Sequence, residues 1–496
     1  MSPKAPTDDL LAAFDAEAFR SEGHRLVDQL ADYLSGALAK RSSDGALLPV
    51  LAPVLPEEML ARWDGVFPEG PSGGSLGALV GRVIDGSNHL HHPHYLGHQV
   101  TAPLPLAALC DLAAALLNNG MAVYEMGMAA TAMERRVLAW MAGELGFDAS
   151  ADGVLTSGGS AGNLTALLAA RQAHAGFDAW SEGTAGTRLA VLAAEQAHYS
   201  VARALQVMGL GAEALVPVPV DDGLRLRAEA LPDALSRARA AGRRVFAVVA
   251  NAGSTATGSF DPLEPIADFC AREGLWLHVD GAHGAAAVLA PETRGLVAGI
   301  SRADSVVWDA HKMMLMPALV SAVLFREGRR SYEAFAQEAS YLFRADASER
   351  GEWWNVGLRT LECTKRMLSL KLYASLSLLG TRLFADYVAR CFALGRRFGE
   401  MLEAAPDFEL ALPPECNIVC FRHRPATLAG ASTSALDAHQ QRLRARVLES
   451  GDFYLVQTRL PPPREGTWLR TTLLHPTSGE AELEALLSRL REAAAP

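Results

Sequence analysis

The sequence ADSVVWDAHKMMLMP, residues Ala303–Pro317, places a lysine four residues after the end of a β-rich run. The run Ser305 to Trp308 has the composition of a buried strand, and mostly apolar residues follow Lys312. Desolvation in such surroundings would favour the neutral amine of Lys312, which is the form that attacks carbonyl carbons. The stretch therefore predicts a Schiff-base lysine at the end of a strand, although a His-Lys pair after a strand also occurs in ordinary loops.

Further short β-rich runs and helical segments alternate between Gly153 and about Leu324. The β-rich runs are Leu189–Leu192, Leu215–Val220, Val245–Val249, Leu275–Val279, Ser305–Trp308 and Ser321–Phe325. The helical segments that separate them include Ser200–Leu210, Ala228–Ala240 and Pro262–Glu273. This alternation predicts an α/β fold with a mostly parallel sheet that is covered on both faces. Ligands of such sheets bind at the carboxyl ends of the strands.

The flanking sequence predicts two further parts. Residues 1 to about 65 have helical spacing, Phe67 to Ser75 has the composition of a linker, and Leu104 to Leu145 is helical apart from an interruption near Asn118 to Gly120. After a long helical stretch, Thr364 to about Leu402, the chain predicts a small α+β region. Its elements are Asn417–Arg422, Phe453–Gln457, Trp468–Leu474 and a closing helix, Glu480–Leu490. The predicted domains are 1–95 (helical), 96–375 (large α/β) and 376–496 (small α+β).

Composition excludes several classes of protein. Of 496 residues, 50% are hydrophobic and 20% are charged, which is typical of a globular chain. The net charge is −11 and no basic run is present, so a nucleic-acid partner is not expected. The first residues lack a secretory signal, and the longest apolar stretch is too short for a membrane span. Six scattered cysteines are consistent with free thiols in the cytoplasm.

The segment NHLHHPHYLGHQVT contains five histidines, among them His98 beside Gln99. A metal site is one interpretation, but the segment lacks the ligand spacing and the nearby carboxylates of a zinc site. A loop at the mouth of a polar pocket is favoured, and no bound metal is expected.

TSGGSAGNLTALLAAR, residues Thr156–Arg171, is a glycine-rich turn that leads into a helix. Gly158 and Gly159 allow the backbone to approach a ligand, and Ser160 can cap the helix, whose first N–H groups would then face an anion such as a phosphate. The turn lacks the lysine of a P-loop and the spacing of a dinucleotide-binding motif. An ordinary capped helix is the alternative.

Three other strand ends carry polar groups. In LWLHVDGAHGAA, Asp280 could keep a pyridine nitrogen protonated beside the small Ala282, and in AEQAHYS, His198 could stack on the other face of the ring. NAGSTATGSFDPL adds small hydroxyl residues, including Thr255. Each of these groups, taken alone, could instead have a purely structural role. Together, a phosphate cradle, a stacking histidine, a strand-end aspartate and a lysine form the set of groups that pyridoxal 5′-phosphate (PLP) requires.

The sequence from about His92 to His475 resembles the group II PLP-dependent decarboxylases, which act on glutamate, cysteine sulfinate, aromatic amino acids and diaminobutyrate. The motifs that carry the resemblance are HPHYLGHQVT, LNNGMAVYEMGMAATAMER, TSGGSAGN, AHYS, HVDGAHG and DAHK. The resemblance implies a fold-type I homodimer with a seven-stranded type of sheet and an active site at the subunit interface. It also implies decarboxylation of an L-amino acid to the amine and carbon dioxide.

By the same resemblance, Lys312 carries the cofactor and Asp280 pairs with the pyridinium nitrogen. His198 stacks on the ring, Gly159 and Ser160 hold the phosphate, and His311 helps to hold the cofactor. For the substrate, Gln99 and Arg470 match positions found in the glutamate and cysteine sulfinate members. A guanidinium suits a carboxylate or a sulfinate, so an acidic amino acid (glutamate, aspartate or cysteine sulfinate) is favoured. Diaminobutyrate and aromatic amino acids stay open, and Arg470 could instead form a packing salt bridge.

Two positions depart from the pattern of the family. Asp309 stands where asparagine is frequent, and an acid near the phosphate is unexpected unless it is turned away or bound to the turn. The region Tyr341 to Trp354 has no tyrosine closer than Tyr341 to the place, near Arg350, where many members carry one that protonates the carbanion. Oxidative deamination or transamination is therefore the alternative reaction, and a silent paralogue that only binds is the alternative class.

Overall fold

The computed structural model of the protein describes residues 7–42, 45–65, 67–70, 73–184, 186–335 and 354–495. The helices are α1 Asp8–Ala12, α2 Ala16–Leu38, α3 Pro56–Arg62, α4 Leu76–Asp85, α5 Pro105–Leu117, α6 Met128–Glu144, α7 Gly159–His174, α8 Ala179–Glu182, α9 Tyr199–Val207, α10 Leu231–Ala240, α11 Leu263–Glu273, α12 Ala310–Met313, α13 Ser369–Leu379, α14 Arg382–Ala404, α15 Thr433–Ser450 and α16 Glu480–Ala494. The strands are β1 Asp152–Thr156, β2 Arg188–Ala194, β3 Leu215–Val218, β4 Arg243–Asn251, β5 Trp276–Asp280, β6 Ser305–Asp309, β7 Ser321–Phe325, β8 Phe408–Leu410, β9 Ile418–His423, β10 Val456–Leu460 and β11 Gly466–Thr472.

A seven-stranded sheet forms the centre of the larger part of the chain. Its strand order is β1-β7-β6-β5-β4-β2-β3. Five strands are parallel, and β7 runs antiparallel to both of its neighbours. This confirms the predicted mostly parallel α/β sheet. The prediction did not include β1, because its sequence DGVLT carries Asp, Gly and Thr beside only two β-favouring apolar residues.

The inner strands present their side chains alternately to two layers of helices. Along β4, Val248 and Ala250 belong to one apolar cluster with residues of α6, α10 and α11. Ala247 and Val249 belong to a second cluster with residues of α7 and α9. Because both faces are covered, the middle of β4 reads as a continuous apolar run rather than an alternating one.

A second sheet is antiparallel throughout, in the order β10-β11-β9-β8. Three of its strands were predicted; β8 and α15 were not. The predicted long helical stretch from Thr364 to about Leu402 consists of two separate helices, α13 and α14. They are interrupted at Gly380, whose φ of +80° lies in the left-handed region that glycine tolerates.

The contacts divide the chain into two compact units. One comprises Met1–Leu96, Gln441–Leu455 and Thr477–Pro496, and the other comprises Gly97–Gln440 and Val456–Pro476. Both sheets therefore lie in the second unit, and the three-part division given by the sequence stays a prediction. None of the helices in the described ranges is both long and apolar enough to cross a membrane.

A buried ion pair joins β1 to α6 and to the segment before α13. Lys365 Nζ lies 2.7 Å from Glu134 Oε2 and donates to the carbonyl oxygen of Leu155 at 2.6 Å. The same carboxylate accepts a hydrogen bond from the Leu155 N–H at 3.1 Å. Glu134 and Lys365 are both buried, and burial lowers the pKa of Lys365 below its ordinary value. The pair therefore depends on both partners being present.

Glu134→Gln is expected to destabilise the protein by about 3–5 kcal/mol, because it leaves the Lys365 ammonium buried without a counter-ion. The loss is measured as a lower midpoint of denaturant unfolding. A Glu134→Gln/Lys365→Met double variant should recover much of it, since replacing both charges removes the uncompensated cation. An unchanged midpoint for the single variant would contradict this account.

Candidate active site

Polar side chains converge where β4, β5 and β6 end, as expected for the carboxyl edge of a parallel sheet. Asn251, the last residue of β4, lies directly opposite Asp280, the last residue of β5. They line a pocket of about 220 Å³. The lining residues are His198, Asn251, Gly253, Ser254, Thr255, Asp280, Ala282, His283 and Lys312. The structure thus brings together five of the predicted site residues, His198, Thr255, Asp280, Ala282 and Lys312.

Lys312 lies in the short helix α12, immediately after β6, and its ammonium has a counter-ion. Lys312 Nζ is 3.1 Å from Asp309 Oδ2, and His311 Nε2 is 3.5 Å from the same oxygen. The other carboxylate oxygen of Asp309 accepts a hydrogen bond from Ser321 on β7. Asp309 is buried, and its carboxylate contacts Lys312, His311 and Ser321. The apolar residues after Lys312, from which the sequence argument started, are also buried.

The glycine-rich turn lies against Asp309. Gly158 has a φ of +143°, a conformation that other residues rarely adopt, and it precedes α7. A Cβ on Gly159 would lie 3.0 Å from Asp309 Oδ1, so the turn packs directly on the carboxylate. The predicted cap at Ser160 is wrong, because the helix begins at Gly159 and no side chain caps it. The first N–H groups of α7 are therefore available to an anion.

Asp280 and His198 are both held by α7. The Asn163 side chain donates to Asp280 Oδ2 at 2.9 Å and to Ser200 Oγ at 2.8 Å, and Ser200 Oγ lies 2.7 Å from His198 Nδ1. Burial, partly offset by the charge of Asp280, lowers the pKa of His198 below its ordinary value, which favours the neutral imidazole. Sequence reasoning missed Asn163, although the amide stands inside a quoted motif at a position buried against the sheet.

Two other groups at the pocket were also missed. Asn251 is held by the buried Asp261, which accepts from the Asn251 N–H at 2.7 Å and from its side-chain amide at 3.1 Å. Burial raises the pKa of Asp261 to about 6. His283 Nε2 lies 2.8 Å from Asn417 Oδ1, while its Nδ1 has no hydrogen-bond partner in the described ranges. Burial and, to a lesser extent, the charge of Lys312 lower the pKa of His283 to about 3, so its imidazole is neutral.

Arg470 lies on β11, between β9 and β10, and is 5% exposed. Its Nε and Nη2 find no hydrogen-bond partner among the residues that the structure describes. Burial lowers the pKa of Arg470 below its ordinary value, and its charge contributes to the lowered pKa of His283 in the pocket. A buried cation without a hydrogen-bond partner is energetically costly, so Arg470 is expected to bind an anion.

The remaining predicted residues are not among those that line the pocket. His311 Nδ1 is 2.9 Å from the Val320 carbonyl oxygen, which fixes its ring beside Asp309. Gln99 Nε2 is buried and has no hydrogen-bond partner among the described residues. Contacts to substrate by His98 and Gln99 stay predictions. Within the described ranges, no three His, Cys, Asp or Glu side chains are grouped as metal ligands would be. The predicted loop from Tyr341, including Arg350, lies outside the described residues up to 353.

The residues present fit PLP as the predicted cofactor. The free N–H groups at the start of α7 suit a phosphate, and the carboxylate of Asp280 suits a protonated ring nitrogen. Ala282 leaves room for a flat ring, since a larger side chain at this lining position would fill the pocket. The carboxylate of Asp309 near the turn opposes an added anion, and it is compensated by Lys312 and Ser321.

Comparison with known proteins gives a single family. Residues 78–424 match the sequence model described as the pyridoxal-dependent decarboxylase conserved domain. The chain is 30% identical to an aromatic-L-amino-acid decarboxylase of Bacillus atrophaeus, over 96% of this chain and 95% of that protein. It is 31% identical to a cysteine sulfinic acid decarboxylase of Rattus norvegicus, over 82% of this chain and 83% of that protein. A crystal structure of mouse CSAD superposes with a TM-score of 0.86 at 27% identity, covering 97% of this chain and 99% of that one.

Proposed function

The chain belongs to the pyridoxal-dependent decarboxylase family and is thus a PLP-dependent amino acid carboxy-lyase, and we propose that its substrate is an acidic L-amino acid. Glutamate, aspartate and cysteine sulfinate are the candidates. The relatives include enzymes named for an aromatic and for an acidic substrate, so the names of relatives leave the choice open. The chemistry of Arg470 supports the acidic class.

The unpartnered guanidinium of Arg470 is the observation that carries this proposal. A carboxylate or a sulfinate can accept two parallel hydrogen bonds from one guanidinium, here from Nε and Nη2, the two groups that lack partners among the described residues. The alternative, a packing salt bridge, would need an acidic partner. Among the described residues, no such partner accepts a hydrogen bond from Arg470 Nε or Nη2. We assign Gln99 and His98 to the substrate as well, with the free amide of Gln99 as support.

The cofactor would be held by groups on both sides of the pocket. Gly158, Gly159 and Ser160 are proposed to bind the phosphate through backbone N–H groups at the start of α7. Thr255 and Ala282 would line the ring, and His311, fixed by Val320, would hold the phosphate end. This arrangement uses the carboxyl edge of the sheet for the ring and the start of α7 for the phosphate.

Bound PLP supplies an electrophilic carbonyl carbon and a protonated ring that accepts the electron pair left by departing carbon dioxide. Lys312 provides the amine that the amino group of the substrate replaces and that later releases the product. Asp280 would keep the proton on the ring nitrogen, because a carboxylate beside that nitrogen favours its charged form. His198 would stack on the ring, and Arg470 would bind the side-chain acid of the substrate.

We also propose that the enzyme is a homodimer and lies in the cytoplasm. The helix α5 exposes four leucines that are 45–65% accessible, Leu109, Leu112, Leu116 and Leu117. Apolar surface of this kind is typical of a subunit interface and supports the proposed homodimer. All six cysteines are unpaired, which supports a reducing cytoplasm.

The proposed substrate class is tested with purified holoenzyme and a panel of L-amino acids. Glutamate, aspartate, cysteine sulfinate, diaminobutyrate and tyrosine are scored for carbon dioxide, amine, peroxide and ammonia. Glutamine and asparagine serve as matched uncharged controls. We expect kcat/KM for at least one acidic substrate to exceed that for its amide by about tenfold or more, since hydrogen bonds to a charged group distinguish the two.

The outcomes separate the alternatives. If the three acidic substrates are inert while diaminobutyrate or tyrosine reacts, the substrate assignment is wrong. Peroxide or ammonia released together with carbon dioxide would identify the oxidative route instead. Protein that is colourless and binds no added PLP would be a silent paralogue.

A further inference from the structure

Asn163 joins two polar groups of the pocket, Asp280 at the end of β5 and His198 at the start of α9. It lies on α7 and is 1% exposed. Its amide nitrogen has two hydrogen atoms, and both are used: one bonds to Asp280 Oδ2 at 2.9 Å and one to Ser200 Oγ at 2.8 Å. One side chain therefore contacts the carboxylate directly and reaches His198 through one hydroxyl group.

A second set of polar side chains contacts the side-chain oxygen of Asn163. His278 Nε2 lies 2.9 Å from Asn163 Oδ1, and His278 Nδ1 lies 2.9 Å from Ser305 Oγ. The same hydroxyl oxygen accepts a hydrogen bond from Trp276 Nε1 at 2.8 Å. His278 and Ser305 are directly opposite each other on β5 and β6, so the register of the sheet fixes this contact.

The direction of every hydrogen bond follows from Asp280. An ionised carboxylate only accepts, so the nitrogen of the Asn163 amide faces it and the oxygen faces His278. The proton of His278 is then on Nε2, and its Nδ1 accepts from the Ser305 hydroxyl. That hydroxyl is free to donate because its oxygen already accepts from the Trp276 indole. Burial lowers the pKa of His278 to about 4, which agrees with a neutral ring.

The same assignment of donors and acceptors gives the tautomer of the His198 imidazole. Ser200 Oγ accepts from Asn163, and its hydroxyl can still donate to His198 Nδ1, 2.7 Å away. The backbone N–H of Ser200 also donates to Nδ1, at 3.3 Å. With two donors at Nδ1, the proton of the neutral ring is on Nε2. His198 thus presents an N–H group, not a lone pair, at its free nitrogen.

We propose that Asn163 is a positioning residue that holds Asp280 as an ionised acceptor and fixes His198 in its Nε2–H tautomer. His278, Ser305 and Trp276 hold the Asn163 amide in the required orientation. The inference rests on the assignment of the pocket to PLP and is independent of which amino acid is the substrate. A buried amide that only packed against the core would not need hydrogen bonds to both Asp280 and Ser200.

Asn163→Asp is the decisive variant, because it keeps the shape of the side chain and places a second carboxyl beside Asp280. Two carboxylates about 3 Å apart cannot both ionise readily. At low pH the introduced carboxyl is protonated and donates to Asp280 as the amide does. At high pH it loses that proton and repels Asp280. The charged groups that also act on His198 are Asp280, Asp309, Lys312 and Arg203, and the variant leaves all of them in place.

The measurement is the dissociation constant of PLP, from the absorbance of the bound cofactor, across a pH series without substrate. We expect the variant to match the wild type in acidic buffer and to bind PLP about tenfold or more weakly in alkaline buffer, the loss typical of a broken hydrogen bond to a charged group. The wild type should show no comparable change. Because no substrate is present, an error in the proposed substrate class cannot produce or hide this result.

Two further variants complete the test. Thr165→Val removes another buried hydrogen bond of α7, to the Ala161 carbonyl oxygen, without touching the chain of polar groups, and should bind PLP like the wild type at all pH values. Ser200→Ala cuts only the His198 branch, so its PLP dissociation constant should stay within about twofold of the wild type, as the charged contact remains. If Asn163→Asp binds PLP as the wild type does at every pH, or equally weakly at every pH, the proposal is overturned.

Discussion

Lys312→Ala is expected to abolish decarboxylation and the covalent retention of PLP. The amine of Lys312 is both the nucleophile that holds the cofactor and the group that releases the product, so its loss should lower kcat by about 10⁴-fold or more. Carbon dioxide release measures the first effect. Reduction with borohydride, followed by removal of free cofactor, measures the second, and the variant should keep no label on the chain.

The chain offers an unusually clear control for this experiment. It contains only five lysines, Lys4, Lys40, Lys312, Lys365 and Lys371. Three of the others have carboxylate partners, which are Glu482, Glu134 and Asp111 for Lys40, Lys365 and Lys371 respectively. In the wild type, the reduced label should therefore map to the single tryptic peptide that contains Lys312. A label on any other lysine would refute the assignment.

Lys312→Arg separates chemistry from folding. Alanine leaves the buried Asp309 with only Ser321 and His311 as partners, which could itself disturb the site. Arginine keeps a cation near Asp309 but is always protonated and cannot attack a carbonyl carbon. It should fold like the wild type and be as inactive as alanine. Substantial activity of the arginine variant would contradict the role of Lys312 as the nucleophile.

The sequence predicted most of the fold because the decisive elements carry strong local signals. The strands β4 to β7 are rich in apolar, β-favouring residues, and such composition identifies a buried strand. β1 was missed because its short sequence is only partly β-favouring, and its place in the sheet depends on pairing with β7. The split between α13 and α14 was signalled by Gly380, but apolar periodicity on both sides of the glycine concealed it.

The sequence predicted the main functional side chains of the candidate site, but it did not predict the residues that form hydrogen bonds to them. Lys312, Asp280 and His198 follow strands in recognisable motifs. The contact between Asn163 and Asp280 joins residues 117 positions apart in the chain, and it exists only because α7 packs on β5 and β6. Gly162 permits that approach, since a Cβ there would lie 3.0 Å from Val307 on β6. Contacts of this kind depend on how helices and strands pack together, and a local sequence pattern carries no information on that packing.

The surroundings of Lys312 illustrate the same limit. Its apolar neighbours predicted a desolvated, neutral amine, and the structure places Asp309 Oδ2 3.1 Å from Lys312 Nζ. The unexpected acid is neither turned away nor bound only to the glycine turn. It lies between the turn and the lysine and contacts both. The residue that departs from the pattern of the family is therefore the partner of the residue that defines the chemistry.

Arg470→Leu is expected to lower kcat/KM for the acidic substrate by about 100-fold or more, because a buried guanidinium that meets an acid directly is worth several kcal/mol. Lysine at this position should restore only part of the loss, since a point charge cannot form the paired contact of Nε and Nη2. The measurement is steady-state decarboxylation with the acidic amino acid and with its amide. The preference for the acid should shrink in both variants.

The same substitution should raise stability while it removes activity. In the absence of substrate, two N–H groups of Arg470 are buried without partners among the described residues, at a cost of about 1–3 kcal/mol. Leucine removes those groups, so the substrate-free variant should unfold at a higher denaturant concentration than the wild type. A packing residue would behave in the opposite way. If Arg470→Leu unfolds earlier and still prefers the acidic substrate, then Arg470 holds the sheet together and the acid must be recognised elsewhere.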